Sequence, residues 1–353
     1  MPVTTDQVLF AMPLDVVLFA EEECLGTEWP MEIDGRAATV RFPALPQGSD
    51  DDDDDRVILV APRGTPDALA ERVELWGILH RNIPVVDIHT LLISIEAEAS
   101  IDWELEAFPA AGDDIERLKH AAHNWFGSFV HWIFCLTAQS LNVMHPDPKT
   151  IHRNSANAIQ TVTAGDRCTR PEVASVYGPV VLDFYGGPSS ERVLSARVAE
   201  VAVSRAGTEP SANLELLASA RLFSRRHDFR RALIDAGTAA EGAMVNLLGT
   251  SVAGQTLGSL VNICKTVEID AKVNLVDPRN DAVHRGVVPS GKLTARAIEI
   301  VEDLILQVEP DVVPAKSLRH VNRPQRFDMV IFRPNEKMVE LSKSRDEEQG
   351  ADE

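Results

Sequence analysis

The pattern of apolar and polar positions changes character after residue 112. Before it, apolar residues fall in short runs rich in Val, Ile and Phe that partly alternate with polar ones: "VLFAMPLDVVLFA", "AATVRFPAL", "RVILVAP" and "IDWELEAF", with Pro and Gly between them. A period near two, bounded by turn residues, predicts strands, so residues 1–112 read as a β-rich domain. From Asp113 to Leu141 the spacing becomes helical, and the acidic start suits the positive end of a helix dipole. The segment that follows, with Pro, Gly and runs such as "GPVVLDFYGGP", gives no firm element. Residues 113–212 are therefore grouped as a long helix and either a connector or an outlying part of the first domain.

Helical spacing returns at Asn213. Leu214, Leu217, Ala220, Leu222 and Phe223 make one apolar stripe, and Ala232, Leu233, Ala236, Ala240, Met244 and Leu247 make another. The polar "SRRHD" between them predicts a bend or break, hence two packed helices. "TLGSLVNICKTVEI" adds a helix, "DPRNDAVHRG" a short one, and "KLTARAIEIVEDLILQVEP" a last, stopped by Pro310. The expected fold class is α+β: a β-rich front followed by an all-α bundle over residues 213–310, then an arm over residues 311–353.

Composition narrows the functional classes. The net charge is −20, and residues 1–112 hold most of it, with 23 acidic residues against 6 arginines. Such acidity argues against non-specific nucleic-acid binding by the whole molecule, while the near-neutral bundle leaves room for a local basic face. The six aspartates from Asp50 to Asp55 have the spacing of a solvated loop rather than of a metal site. The longest apolar run, "WFGSFVHWIFCL", carries His131 and falls short of the roughly 20 residues needed to cross a bilayer, so no membrane association is expected. Cys24, Cys135, Cys168 and Cys264 lie far apart, which fits a reducing cytoplasm better than a disulfide framework or a zinc site. His120, His123 and His131 share one helix without a third ligand at useful spacing and read as surface or core histidines.

The chemistry concentrates in "DPRNDAVHRG". Asp277 followed by Pro278 has the form of a helix start, with the aspartate as cap, and Gly286 that of a stop. On such a helix Asn280 and His284 are one turn apart on one face, whereas Arg279 points about 140° from His284. Histidine exchanges protons near neutrality, arginine donates to phosphate oxygens, and an amide can orient either, a set suited to a phosphodiester. Spacing alone is weak, because composition supplies about one Arg-x4-His pair by chance.

Context carries more. "RNDAVHRG", with "RRALIDAGTAAEGAMVNLL" upstream and a closing helix after it, resembles the HEPN superfamily, whose hallmark is an Arg-x4-6-His motif opening with Arg and a polar residue. The resemblance covers residues 213–310. It implies a metal-independent, cofactor-free endoribonuclease acting as a homodimer, with Arg279, His284 and Asn280 catalytic and Glu241 and Asp281 in support. Two-part proteins of this kind resemble the ApeA-like and abortive-infection members of bacterial defence systems, in which cleavage of host RNA follows infection, so the front half is expected to sense a ligand or restrain the cleavage; a toxin held silent by an antitoxin is a separate reading. A second implied class is a non-catalytic HEPN module that scaffolds a partner or binds nucleotide.

Arg221, Arg225, Arg226, Arg230 and Arg231 cluster at the bend between the first two bundle helices. "KSLRHVNRPQRFDMVIFR" forms a basic arm. Candidate RNA contacts are therefore Arg225, Arg226, Arg230, Arg285, Arg319, Arg323 and Arg326.

Overall fold

The computed structural model describes residues 6–47, 55–73, 75–82, 85–97, 113–139, 159–164, 167–173, 190–264, 271–312 and 320–322. "IDWELEAF", Asp50 to Asp54 and most of the basic arm, Arg319, Arg323 and Arg326 included, lie outside the described residues. The fold is α+β, an antiparallel sheet followed by helices.

The sheet has nine strands: β1 (Asp6–Ala20), β2 (Glu28–Ile33), β3 (Arg36–Arg41), β4 (Arg56–Ile58), β5 (Gly77–His80), β6 (Val85–Ala97), β7 (Ile159–Ala164), β8 (Arg167–Cys168) and β9 (Glu172–Val173). Its main path runs β2-β3-β6-β1-β7-β8, with β5 sharing the far edge of β6 with β3 and β9 sharing the edge of β7 with β8. Asp34 and Gly35 both take positive φ, 53° and 74°, the conformation that a two-residue hairpin between β2 and β3 requires. The β1–β6 register slips between Pro13 and Leu18. Proline has no N–H for the ladder, so a central strand accommodates it at such a bulge. β6 is buried almost continuously, as expected of a strand covered on both faces. The strands at 159–173 belong to this sheet, so part of the segment that the sequence left open extends the front half.

Helix α1 (Asp67–Ala70) is a single turn beside the sheet. Helix α2 (Asp113–Thr137) joins the two halves, packing on β1 and β2 and on helices α3 (Ala196–Arg205) and α4 (Ala212–Arg225). Phe129 is fully buried there, with Trp125 stacked on it at 5.4 Å. The helix stops at Thr137, short of the expected Leu141, and Ala138 turns out at φ 58°. Just beyond, the buried Gln139 accepts from the Phe19 N–H at 2.9 Å and donates to the carbonyls of Phe19 at 2.8 Å and Arg192 at 2.7 Å. One amide thus closes the end of β1.

The bundle continues with α5 (Phe229–Leu248), α6 (Leu257–Ile263), α7 (Asp277–His284) and α8 (Gly291–Val308). "SRRHD" breaks the chain as its polarity predicts: α4 ends at Arg225, His227 takes φ 61°, and the Asp228 side chain caps α5 through the Arg231 N–H. Strand β10 (Ser190–Arg192) before the bundle pairs antiparallel with β11 (His320–Asn322) after it.

Candidate functional site

Helix α7 carries the Arg279–His284 motif, and it does not begin as its sequence suggests. Asp277 is helical at φ −63°, ψ −46°, no side chain caps the turn, and the preceding residues Lys272–Val276 already form a π-helical turn. The Asp277 N–H donates back five residues to the Lys272 carbonyl. Pro278 therefore lies inside a continuous helix. Its ring would crowd the carbonyl four residues back, and the wider π spacing just upstream relieves that crowding. Buried Leu275, Val276 and Ala282 hold this helix in the bundle, so packing overrides the local start signal.

Arg279 leaves α7 toward α5, where Gly237 makes room for it. A Cβ at 237 would lie 2.7 Å from the Arg279 Cγ and 3.3 Å from its Nε. The guanidinium then reaches Glu241, one turn further along α5, with Nη2 at 3.4 Å from Oε1. The Nε is buried and has no hydrogen-bond partner. At the opposite end of the contact, Arg230 Nε donates to the Ala282 carbonyl at 3.0 Å. Arg230 and Glu241 are about 16 Å apart along α5, so α7 runs antiparallel to α5. His284 continues toward the Arg230 end and is exposed, and Asn280 is half-buried. Within one chain, then, Arg279 is taken up by α5 while His284, about 140° round the same helix, stands exposed.

The remaining candidates divide. Asp281 pairs with Arg285 one turn on at 3.0 Å, with the arginine well exposed. Arg226 and Arg230 are exposed, and Arg231 lies over the Phe223 ring at 3.9 Å from its centroid. Arg225, half-buried, donates from its guanidinium to the Ala138 carbonyl, tying α4 to the end of α2. Arg221, of the same basic cluster, is turned inward. It is buried, donating through Nε to Glu302 at 2.8 Å and through Nη1 to the Cys135 carbonyl at 3.4 Å, while Arg192 reaches the same carboxylate at 3.2 Å. Burial, the largest influence, pulls the Arg221 guanidinium down to about 10 against the charge of Glu302, and Arg192 adds to the fall. Burial pushes the Glu302 carboxyl up, but the charges and hydrogen bonds of the two arginines prevail and hold it below the usual carboxylate value. A sign was available in the sequence: Arg221 is spaced i+7 and i+4 from the buried Leu214 and Leu217, and Glu302 lies on the apolar stripe of α8 with Ile298 and Ile305.

The helix-borne histidines have protein partners: His123 Nδ1 lies 2.7 Å from the Lys119 carbonyl and His131 Nε2 lies 3.1 Å from Glu215. Among the described residues no group of three His, Cys, Asp or Glu side chains is placed to hold a metal ion, and no helix is long and apolar enough to cross a membrane. The chain matches no family model, no curated protein and no solved structure.

Proposed function

We propose that this chain is a HEPN-type endoribonuclease whose α7 supplies Arg279, Asn280 and His284 to a site shared by two copies. The observation that carries the reading is the placement of Arg279: a glycine slot on α5 and a carboxylate one turn away are shaped to it, while His284 stands exposed on the same short helix. Because the two side chains diverge within a chain, the His284 that meets a given Arg279 comes from the second copy. In the reaction the RNA 2′-hydroxyl attacks phosphorus, the P–O2′ bond forms and the P–O5′ bond breaks. One imidazole takes the hydroxyl proton, the other gives a proton to the leaving oxygen, and Arg279 balances the charge on the phosphate. The attacking group belongs to the substrate, so DNA resists cleavage. Exposed Arg226, Arg230 and Arg285 are the described candidates for backbone contacts. The setting we infer is cytoplasmic defence or toxicity, with the acidic front half as sensor or an antitoxin as restraint.

A second reading, a non-catalytic module that scaffolds a partner, draws on the same Arg279–Glu241 pair, which gives the arginine a structural occupation. Incubating the purified chain with tRNA and total RNA in EDTA separates the two. Cleavage of RNA but not DNA, lost in Arg279→Ala and His284→Ala, supports the nuclease. RNA left intact at micromolar protein with a cognate trigger supplied, or a strict monomer by light scattering under all conditions, overturns it.

A further inference from the structure

We infer that Glu241 is a latch that holds Arg279 withdrawn on α5, and that an oxyanion, the phosphate of a bound nucleic acid, takes its place. This rests on the reading of Arg279 as the phosphate-holding residue. The guanidinium fork presents Nε and Nη2 along one edge, a match for two oxygens of one anion. In the resting chain that edge is half used: Nη2 has Glu241 at 3.4 Å, longer than the 2.7–2.9 Å of a good charged hydrogen bond, and Nε has no partner. An unsatisfied buried donor disfavours the conformation that contains it. The withdrawn position is nonetheless kept, because Gly237 leaves a slot for the side chain and Glu241 supplies an opposite charge at its end. Both ends of the pair remain within reach of solvent, with 20% and 29% of the two side chains exposed, so an incoming anion can compete without opening the core.

Two levers of different kind act on the one arginine. Glu241→Gln keeps the shape and removes the charge. Gly237→Ala leaves the charge and fills the slot, since its Cβ would sit 2.7 Å from the Arg279 Cγ, near the root of the side chain where little can swing aside. A latch predicts that both free Arg279 and strengthen anion binding. A carboxylate and slot that hold Arg279 in its working position predict that both weaken it.

The experiment titrates the full-length chain, its two variants and Arg279→Ala with inorganic phosphate and with an RNA oligonucleotide 2′-O-methylated throughout, which cannot be cleaved, followed by calorimetry. An ion pair of this exposure is worth a factor of about five in an equilibrium constant, so Glu241→Gln is expected to tighten binding about fivefold, Gly237→Ala to act in the same direction, and Arg279→Ala to bind more weakly than wild type. Tightening for inorganic phosphate alone supports the exchange with a free phosphate as ligand. Unchanged or weaker binding in Glu241→Gln, or no phosphate binding in any variant, overturns it. Glu241→Gln is nearly isosteric and decides the matter even where Gly237→Ala unfolds. If binding follows the expected order while natural RNA stays intact, the nuclease reading fails and the latch stands.

Discussion

Replacing Glu302 by Gln tests what holds the helices to the rest of the chain. Glu302 is 3% exposed and faces two guanidiniums, Arg221 at 2.8 Å and Arg192 at 3.2 Å, drawn from α4 and β10. Gln keeps the volume and an acceptor oxygen but removes the negative charge facing the buried Arg221 and the partly buried Arg192. Removing one member of a buried ion pair costs about 3–5 kcal/mol, and the retained acceptor places Glu302→Gln near the lower end, about 3 kcal/mol. At about 1.3 °C per kcal/mol for a chain of 353 residues, the melting temperature should fall by about 4 °C, read by circular dichroism alongside a urea titration. The wild type has its own acid signature. A carboxyl held below its unfolded pKa adds stability at every pH above that value, about 4.3, and loses it as pH falls through the folded value. The gap between wild type and Glu302→Gln should therefore be full at pH 7 and close below about pH 4. A triple replacement, Arg192→Met, Arg221→Met and Glu302→Leu, should come within about 1 kcal/mol of wild type. A loss under about 1 kcal/mol in Glu302→Gln, or a triple variant as damaged as the single one, would refute the account.

Gly242→Ala places a Cβ 2.0 Å from the Asn213 Oδ1 and 2.9 Å from its Cγ, so the usual gain of about 1 kcal/mol for Gly to Ala in a helix should become a loss of about 1–2 kcal/mol in urea unfolding, recovered when Asn213→Ala is added. Gln139→Ala removes three hydrogen bonds to backbone groups, of which the Phe19 carbonyl keeps the Leu194 N–H at 2.9 Å, and should cost about 2 kcal/mol, with faster amide exchange at Phe19; protection equal to wild type would show that the amide is dispensable. Burial, with the charge of Glu21 next, pushes the Cys24 thiol up to about 12, and burial, with Glu215 next, raises Cys135 as well. Both thiols should stay protonated at pH 8 and escape iodoacetamide in the native chain, then label after unfolding in guanidinium; native labelling seen by mass spectrometry would contradict the packing.

The strand around Val40 and the helices around Leu217 and Ala240 were legible because each keeps one period and buries one face, and the strand around Phe10, buried on both faces, because its apolar run is short and bounded by turn residues. The strands at 159–173 were not, since pieces this short take their identity from pairing, β7 with β1 and β8 and β9 with β7, rather than from their own composition. Asp277-Pro278 misled for the opposite reason: the dipeptide is a strong local start signal, and what decides against it is the burial of Leu275 and Val276 behind it. Arg221 stood in a run of basic residues that reads as surface, and only its register with Leu214 and Leu217 separates it from its neighbours. For the candidate site, the sequence supplied the residue types and the helix that carries them. The slot at Gly237 could not be read there, because a glycine on a helix says nothing about which side chain crosses it.

The pairing of β10 with β11 makes the helical half an insert whose entrance and exit share one seam. A graft cut there would bring both chain ends together at a single point of a new host, with no linker to span a gap. The arginines set the terms of such a transplant: Arg221 and Arg225 reach back to the carbonyls of Cys135 and Ala138, so unless α2 travels with the insert each of them loses one hydrogen bond.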